Sequence, residues 1–358
     1  MNIYKKAIST TLTVLSSLVV LISCSTTVSV SYMQPAKYDL TQYKKLAVAS
    51  MQVVDAQPFS DSYITIRYDN FEGTVFSGYD RRIASNISQD FTEQIYTDLY
   101  KTAYFDLIKP VITDGYINNY KYGLKSIEKL KDLGAQAILV SEIDFIDYQE
   151  YPIIGDYKMI INPEYATDDP TEPQYIESIE REVKITQQAS IKFNYKVIAI
   201  DTGEIIASQS FTKTLTNEIE YKENLISLDP MEPLFYKGLI QGEKQIVSDL
   251  TPQFISTSIS LKTDKSKNAY FNAGIEAAKK SKLKVAYDNF DAAWNSSKLY
   301  AAGYNSALVL EARGEREEAI ERMTEVYNNY KDTDSYDQIT RMKQYKNKTN
   351  AAQTQINN

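Results

Sequence analysis

Between Val183 and Val197 the chain alternates almost without interruption. Val183, Ile185, Ala189, Ile191, Phe193, Tyr195 and Val197 are apolar, and Lys184, Thr186, Gln188, Ser190, Lys192, Asn194 and Lys196 between them are polar. A period of two held this long specifies a strand with one face buried and one wet, and a helix cannot present it. The run ends at Asp201-Thr202-Gly203-Glu204, where glycine permits a tight reversal, so Ile205 to Leu215 is expected to return as an antiparallel arm. Any fold for this chain has to be built around that hairpin.

The surrounding residues supply layers for it. Leu46-Ala47-Val48-Ala49 reads as a short buried strand. After an irregular stretch through Gly78, the spacing of Ile83, Ile87, Phe91, Ile95 and Leu99 predicts a helix with one core face. Tyr104 to Ile108 reads as a strand, Leu124 to Leu133 as a helix stopped by Gly134, and Ala137 to Ile146 as a third strand. That strand is apolar throughout its first half, then places Glu142 and Asp144 on one face, which predicts that it leaves the core as it proceeds. Leu234 to Leu250 is expected to be helical, and Phe254 to Leu261 to be a closing strand. Helices interleaved with a mixed sheet give an α+β fold, an α/β-type sandwich, over residues 43–262.

The N-terminus carries a targeting segment. Lys5 and Lys6 precede an apolar core of Leu15, Leu18, Val19, Val20, Leu21 and Ile22, too short for a stable transmembrane helix, and Leu21-Ile22-Ser23-Cys24 closes it. This order resembles the lipobox of bacterial lipoproteins, which implies a signal peptide over residues 1–23 and a diacylglycerol thioether on Cys24. Acyl chains add about 0.8 kcal/mol per buried methylene, so two or three of them would anchor the chain durably. Residues 24–42 are hydroxyl-rich and read as a flexible tether. Ser25 follows the cysteine where aspartate would signal inner-membrane retention, so the expected address is the outer membrane, facing the periplasm.

Taken in order, Leu46-Ala47-Val48, Tyr104 to Ile108, Leu133-Gly134-Ala135-Gln136-Ala137-Ile138-Leu139-Val140 and Ala199-Ile200-Asp201-Thr202-Gly203-Glu204-Ile205-Ile206 resemble the periplasmic lipoprotein domain shared by the curli secretion channel CsgG, the penicillin-binding-protein activator LpoB and the N-terminal part of TolB. Asp201 stands directly before Thr202, closer than in that pattern. The resemblance implies an envelope domain that either docks a partner or forms part of a secretion pore.

After Lys262 the pattern changes. Tyr270, Gly274, Ala286, Phe290 and Ala293 match the spacing of a tetratricopeptide repeat, and Tyr304 and Ala319 open a second unit 34 and 33 residues on, with Leu308 in place of the glycine. Residues 264–346 are therefore read as an all-α helical-repeat domain, with Ala286 and Ala319 where helices approach closely. Such repeats need a cap, which a helix over residues 335–348 or docking on the first domain could supply. Whether they bind a peptide or only cap the first domain stays open. Residues 347–358 are polar and read as a disordered tail.

Composition limits the chemistry. The chain contains no histidine, and its one cysteine is assigned to lipid, which excludes Ser-His-Asp triads, Cys-His nucleophiles and histidine or cysteine zinc sites. Its net charge of −8 argues against nucleic acid as a partner. Glu142 and Asp144 are spaced for an acid/base pair but fit a solvated strand face better. The acidic loop Asp168 to Glu172 lacks the ligand spacing and central glycine of a calcium loop. Tyr116, Tyr120 and Tyr122 could offer contact surface. No catalytic residue, metal or cofactor is assigned.

The expected function is a non-catalytic interaction or assembly module, bound to the membrane through its N-terminal lipid and docking an envelope protein, with homo-oligomerisation left open. The alternative is a subunit of a CsgG-like secretion channel. It requires a membrane-crossing hairpin between Tyr151 and Glu180, where Pro152, Pro163, Pro170, Pro173 and several acids are expected to interrupt one.

Overall fold

The computed structural model describes residues 26–54, 59–79, 82–117, 127–161, 176–222 and 225–358. Cys24, Tyr120, Tyr122 and the loop Asp168 to Glu172 lie outside them. Two compact units result: Ala36–Thr251, and Pro252–Asn357 joined by the residues before Ala36. The first is mixed α/β, and the second is a helical region with a small ribbon.

The described chain opens on β1 (Thr27–Gln34), which belongs to the helical unit. The α/β unit then runs β2 (Lys45–Val48), β3 (Gln52–Val53), β4 (Ser62–Tyr68), β5 (Phe71–Ser77), α1 (Ile83–Lys101), β6 (Asp106–Ile108), α2 (Pro110–Ile117), a 3-10 helix (Glu128–Leu133), β7 (Ala137–Ile161), β8 (Ile176–Ala199), β9 (Ile205–Glu220) and α3 (Glu232–Leu250). Strand order in the sheet is β6-β2-β7-β8-β9, with β3 beside β7. β2 lies parallel to β6 and β7, and β7, β8 and β9 are antiparallel, so the sheet is mixed as the sequence predicts.

The alternation of β8 buries Ile191, Phe193, Tyr195 and Val197 under α1 and α3, together with Leu139 and Ile143 of β7. Ile83, Ile87, Phe91, Ile95 and Leu99 of α1 are all buried there. On the opposite face Ile138 and Val140 meet Ala47, Ala49, Ile117, Leu130 and Ile198. The first half of β7 is apolar at every position because both its faces are covered. Gly134, at φ 74°, stops the 3-10 helix, and Gly203, at φ 72°, makes the β8–β9 turn by donating its N–H to the Ala199 carbonyl at 2.8 Å.

Several sequence expectations are corrected. The stretch before Gly78 holds the β4–β5 hairpin, whose Ile64, Ile66 and Val75 pack on Val183 and Ile185. α2 had no forecast and begins at Pro110, where proline's missing N–H costs nothing. Pairing of β7 with β8 continues through Pro152 to Ile161 opposite Ile176, so Pro152 does not interrupt the hairpin. A proline is tolerated there because, among the described residues, that part of β7 has β8 as its one strand neighbour and its other edge needs no donor. Pro163, Pro170 and Pro173 fall outside the described residues.

The helical unit contains β1, β10 (Gln253–Ser260), α4 (Ala269–Lys279), α5 (Leu283–Ser297), α6 (Tyr300–Ala312), α7 (Arg316–Tyr330) and α8 (Thr333–Asn357). β10 therefore does not close the α/β sheet; it pairs antiparallel with β1, which occupies part of the segment expected as a tether. β1 forms because Val28, Val30 and Tyr32 are buried in alternation with exposed Thr27, Ser29 and Ser31, a short period-two pattern whose partner lies far along the chain. The polar tail is helical as well: α8 reaches Asn357, with Ile339, Met342, Thr349 and Ala352 buried along one stripe.

Positions 33 residues apart in the four preceding helices share conformation. Ser281 and Gly314 have φ of 53° and 89°, Lys298 and Lys331 have φ of 50° and 55°, and Ala286 and Ala319, Phe290 and Met323, and Ala293 and Val326 are fully buried pairs.

Candidate functional site

The repeat residues singled out in the sequence, Tyr270 to Ala319, sit in the helical unit. A Cβ on Gly274 would lie 2.6 Å from the Phe290 ring, so this glycine lets α4 press against α5. Ala286, Phe290, Ala293 and Ala319 are fully buried, and Tyr304 is nearly so. Tyr270 departs from the packing role expected of it: it is 56% exposed, and Phe271 next to it is the buried side chain. α4 is the first helix of its unit among the described residues.

What the sequence did not reveal is the occupant of this array. β1 lies against α4, α6 and α8, the alternate helices that form one face. Val28 joins the helices' own core. Tyr32 stacks on Tyr345 of α8 at 3.9 Å between ring centroids, and Lys348 sits over the Tyr32 ring at 5.4 Å. The strand's backbone is also held. Met33 donates its N–H to Thr349 Oγ1 at 3.2 Å, and Arg316 Nη2 donates to the Ser31 carbonyl at 2.8 Å.

Beyond β10, Asn305 of α6 is fully buried and grips the backbone of one residue, Lys262, through both its N–H and its carbonyl. Its Oδ1 accepts the Lys262 N–H at 2.7 Å, and its Nδ2 donates to the Lys262 carbonyl at 2.9 Å. Buried amides need such partners, and this pairing satisfies both sides at once. Amide, guanidinium and hydroxyl groups of these helices thus hold extended segments of their own chain by the backbone. A sequence signal existed in the alternation of Val28, Val30 and Tyr32; Asn305 carried none.

Around this face Glu311 accepts a two-point bond from Arg341, at 2.8 Å and 2.5 Å, and Lys262 pairs with Asp334. Burial pushes the Tyr304 hydroxyl up to about 12, and burial also raises Tyr300, helped by its bond to Asp332 at 2.7 Å. These groups are structural at neutral pH.

Other candidates resolve differently. Glu142 and Asp144 are countered across the sheet, Glu142 by Lys196 at 3.8 Å and Asp144 by Lys192 at 3.4 Å, with Asn194 Nδ2 donating to Asp144 at 2.7 Å. Tyr116 packs against the core on the α2 face. A cavity of about 680 Å³ opens beyond the carboxyl ends of β2 and β6, lined by Ser50, Ser88, Thr92, Lys109 and Asp114 among others. Much of its polar lining is committed: Asp114 accepts the Ser50 N–H, Ser88 donates to the Met51 carbonyl, and Thr92 accepts the Met51 N–H. Among the described residues no group of three potential metal ligands occurs, and no helix is long and apolar enough to cross a membrane.

Between α1 and α3 the buried carboxyl of Glu243 titrates near neutrality. Glu243 is 2% exposed, and burial, reinforced by its bond to Asp98, raises it to about 7. Its folded value thus lies above its unfolded one, so its stabilising contribution is complete at about pH 4 and is lost as pH rises through 7. Asp98 is held low: bonds from Lys101 and Gln94 outweigh its own partial burial, so its contribution fails only at more acid pH. Glu243→Gln is expected to flatten the fall in melting temperature between about pH 5 and 8, a relative gain on the order of 1–3 kcal/mol at the alkaline end. Equal pH profiles for variant and wild type would refute the assignment.

No protein-family model matches the chain, and no curated protein matches it. Similar solved structures include a homologue of neuraminyllactose-binding hemagglutinin from Helicobacter pylori, at 12% identity and TM-score 0.30, covering 60% of this chain and 83% of that one. The PelC dodecamer from Paraburkholderia phytofirmans matches at 8% identity and TM-score 0.26, covering 62% and 97%. The LpoB C-terminal domain from Salmonella enterica, which belongs to the group the sequence resembles, matches at 12% identity and TM-score 0.23, covering 50% and 84%. At such identities and TM-scores the likeness carries no functional argument.

Proposed function

We propose that this chain is a lipid-anchored lipoprotein of the cell envelope, acting as a non-catalytic protein interaction or assembly module from the outer membrane into the periplasm. The observation that carries this reading is the seating of β1 across alternate helices, with Arg316 and Thr349 on its backbone and Asn305 gripping Lys262, two residues beyond β10. Two tetratricopeptide-like repeats, α4–α5 and α6–α7, with α8 as their cap, account for the 33-residue recurrence of positive φ values and buried alanines. β1 starts three residues after Cys24, so an acylated Cys24 would hold the helical unit within about 10 Å of its lipid, not on a long tether.

The channel reading has one observation in its favour, since the β7–β8 hairpin runs past the end of β9. A spanning strand needs about 9 to 11 residues with an apolar lipid-facing set. Asp156, Glu177, Glu180, Arg181 and Glu182 fall in the stretch concerned, which weighs against it.

Labelled palmitate is expected to enter the wild type and to be lost together with membrane fractionation in Cys24→Ser. Crosslinking in intact cells is then expected to capture an envelope protein at the helical unit. A wild type that takes up no label, or a purified protein that turns over a defined substrate, would overturn the reading.

A further inference from the structure

Among the described residues the ribbon of the helical unit has one edge covered, while the other edge, over Phe254 to Ser258, has no strand partner. Leu261 donates its N–H to the Thr26 carbonyl at 2.8 Å, which fixes the phase of the ladder: Val28 with Ile259, Val30 with Thr257 and Tyr32 with Ile255 exchange hydrogen bonds. The intervening residues turn their backbone groups outward. On the β1 side Arg316 and Thr349 take the Ser31 carbonyl and the Met33 N–H. On the β10 side Phe254, Ser256 and Ser258 turn outward, and β1 is the only strand partner of β10 among the described residues.

Edges left open in soluble proteins are normally blunted by lysine, internal proline or a bulge. β10 has none of these. No charged residue stands between Thr251 and Leu261, the register with β1 is unbroken, and Phe254 is 79% exposed.

We propose that β10 is an interface strand and that a second copy of this chain pairs with it, antiparallel about a two-fold axis at Thr257. The strand is self-complementary in this register. Ile255 falls opposite the second copy's Ile259 and extends the face formed by Val28, Val30 and Tyr32. Ser256 falls opposite the second copy's Ser258 and extends the hydroxyl cluster in which Ser256 already bonds Ser29 and Ser31. Moving the axis to Ser256 runs the ladder into Pro252, which has no donor, and moving it to Ser258 runs it into Lys262, whose N–H and carbonyl are held by Asn305. A strand without charge brings no like-charge repulsion to a contact of identical surfaces.

The full chain is tested in detergent and in intact cells. Sedimentation of the wild type is expected to give a concentration-dependent dimer. Ser258→Pro removes an outward N–H and leaves the β1 ladder whole, and it is expected to yield a folded monomer whose melting temperature no longer depends on protein concentration. Ser258→Lys and Ser258→Glu are each expected to weaken the dimer about ten-fold or more, and mixing them is expected to restore it, because these side chains lie on the diagonal of the pair. Thr257→Cys is expected to form an intermolecular disulfide on mild oxidation that the wild type does not form, since facing residues of a pair without mutual hydrogen bonds lie about 4.5 Å apart at Cα. A wild type that stays monomeric at about 100 µM, far above the weakest dissociation constant of interest, overturns the proposal. So does an oligomer that survives Ser258→Pro, or a Thr257→Cys chain that stays uncrosslinked while dimeric.

Discussion

Replacing Glu311 by alanine is expected to destabilise the helical unit by about 3–5 kcal/mol, the range for removing one partner of a buried ion pair. Glu311 on α6 is 3% exposed, and its two carboxylate oxygens receive Nη1 and Nη2 of Arg341 from α8. Arg341 also donates from Nε to Gln338 at 2.8 Å and lies over the Tyr345 ring at 4.9 Å. Without Glu311 the guanidinium keeps its place in the packing and loses its counter-charge, which is the costly outcome. Replacing both by apolar residues of similar size, Glu311→Leu with Arg341→Met, is expected to recover most of the loss. Tyr345 and Thr349, which hold β1, are on the same helix as Arg341, so the single variant should also speed amide exchange at Val28 and Val30. Denaturant titration and hydrogen exchange give the two readouts. A Glu311→Ala chain as stable as wild type, or a double variant worse than either single one, would show that the pair does not dock α8.

How much of this was readable in advance follows from where each element finds its partner. β8 was legible because its cover is continuous: α1 and α3 lie over Ile191 to Val197, so the period-two pattern runs unbroken, and the turn at Gly203 brings its partner within a few residues. β1 has the same alternation in Val28, Val30 and Tyr32, but its partner begins at Gln253, and nothing local separates a hydroxyl-rich strand from a hydroxyl-rich linker. The end of α8 beyond residue 348 was missed for a related reason, because Thr349 and Ala352 form a narrow buried stripe in a stretch whose composition is polar. Within the candidate site Ala286 and Ala319 could be found by spacing alone. Asn305 could not, since a lone asparagine in an apolar helix shows its role only when the Lys262 backbone is seen against it. The cavity at β2 and β6 draws Ser50, Thr92 and Asp114 from three separated segments with no motif among them.

The same packing logic makes Gly242 the least replaceable glycine of the α/β unit. A Cβ added there would stand 1.8 Å from Cζ of Phe193 and 2.6 Å from its Cε2. The ring has no room to yield: Phe193 is fully buried, edge-on to Phe91 at 5.4 Å and stacked with Phe211 at 5.0 Å. Gly238, one turn earlier, faces Leu215 at 3.3 Å and Ile191 at 3.5 Å, a contact that a few tenths of an ångström would relieve. Gly115 in α2 meets nothing within 4 Å. A graded series follows. Gly115→Ala is expected to stabilise the protein by about 0.5–1 kcal/mol through helix propensity alone. Gly238→Ala should change stability little, and Gly242→Ala should cost about 3 kcal/mol or more despite the same propensity gain, because α3 must lift off the sheet. Trimming the obstructing ring gives the decisive comparison. Phe193→Leu alone leaves a cavity and destabilises, yet combined with Gly242→Ala it is expected to cost less than the sum of the two, with a coupling of about 1 kcal/mol or more. Chemical denaturation of the four proteins of that cycle measures the coupling, and strict additivity would mean that the helix does not rest on Phe193.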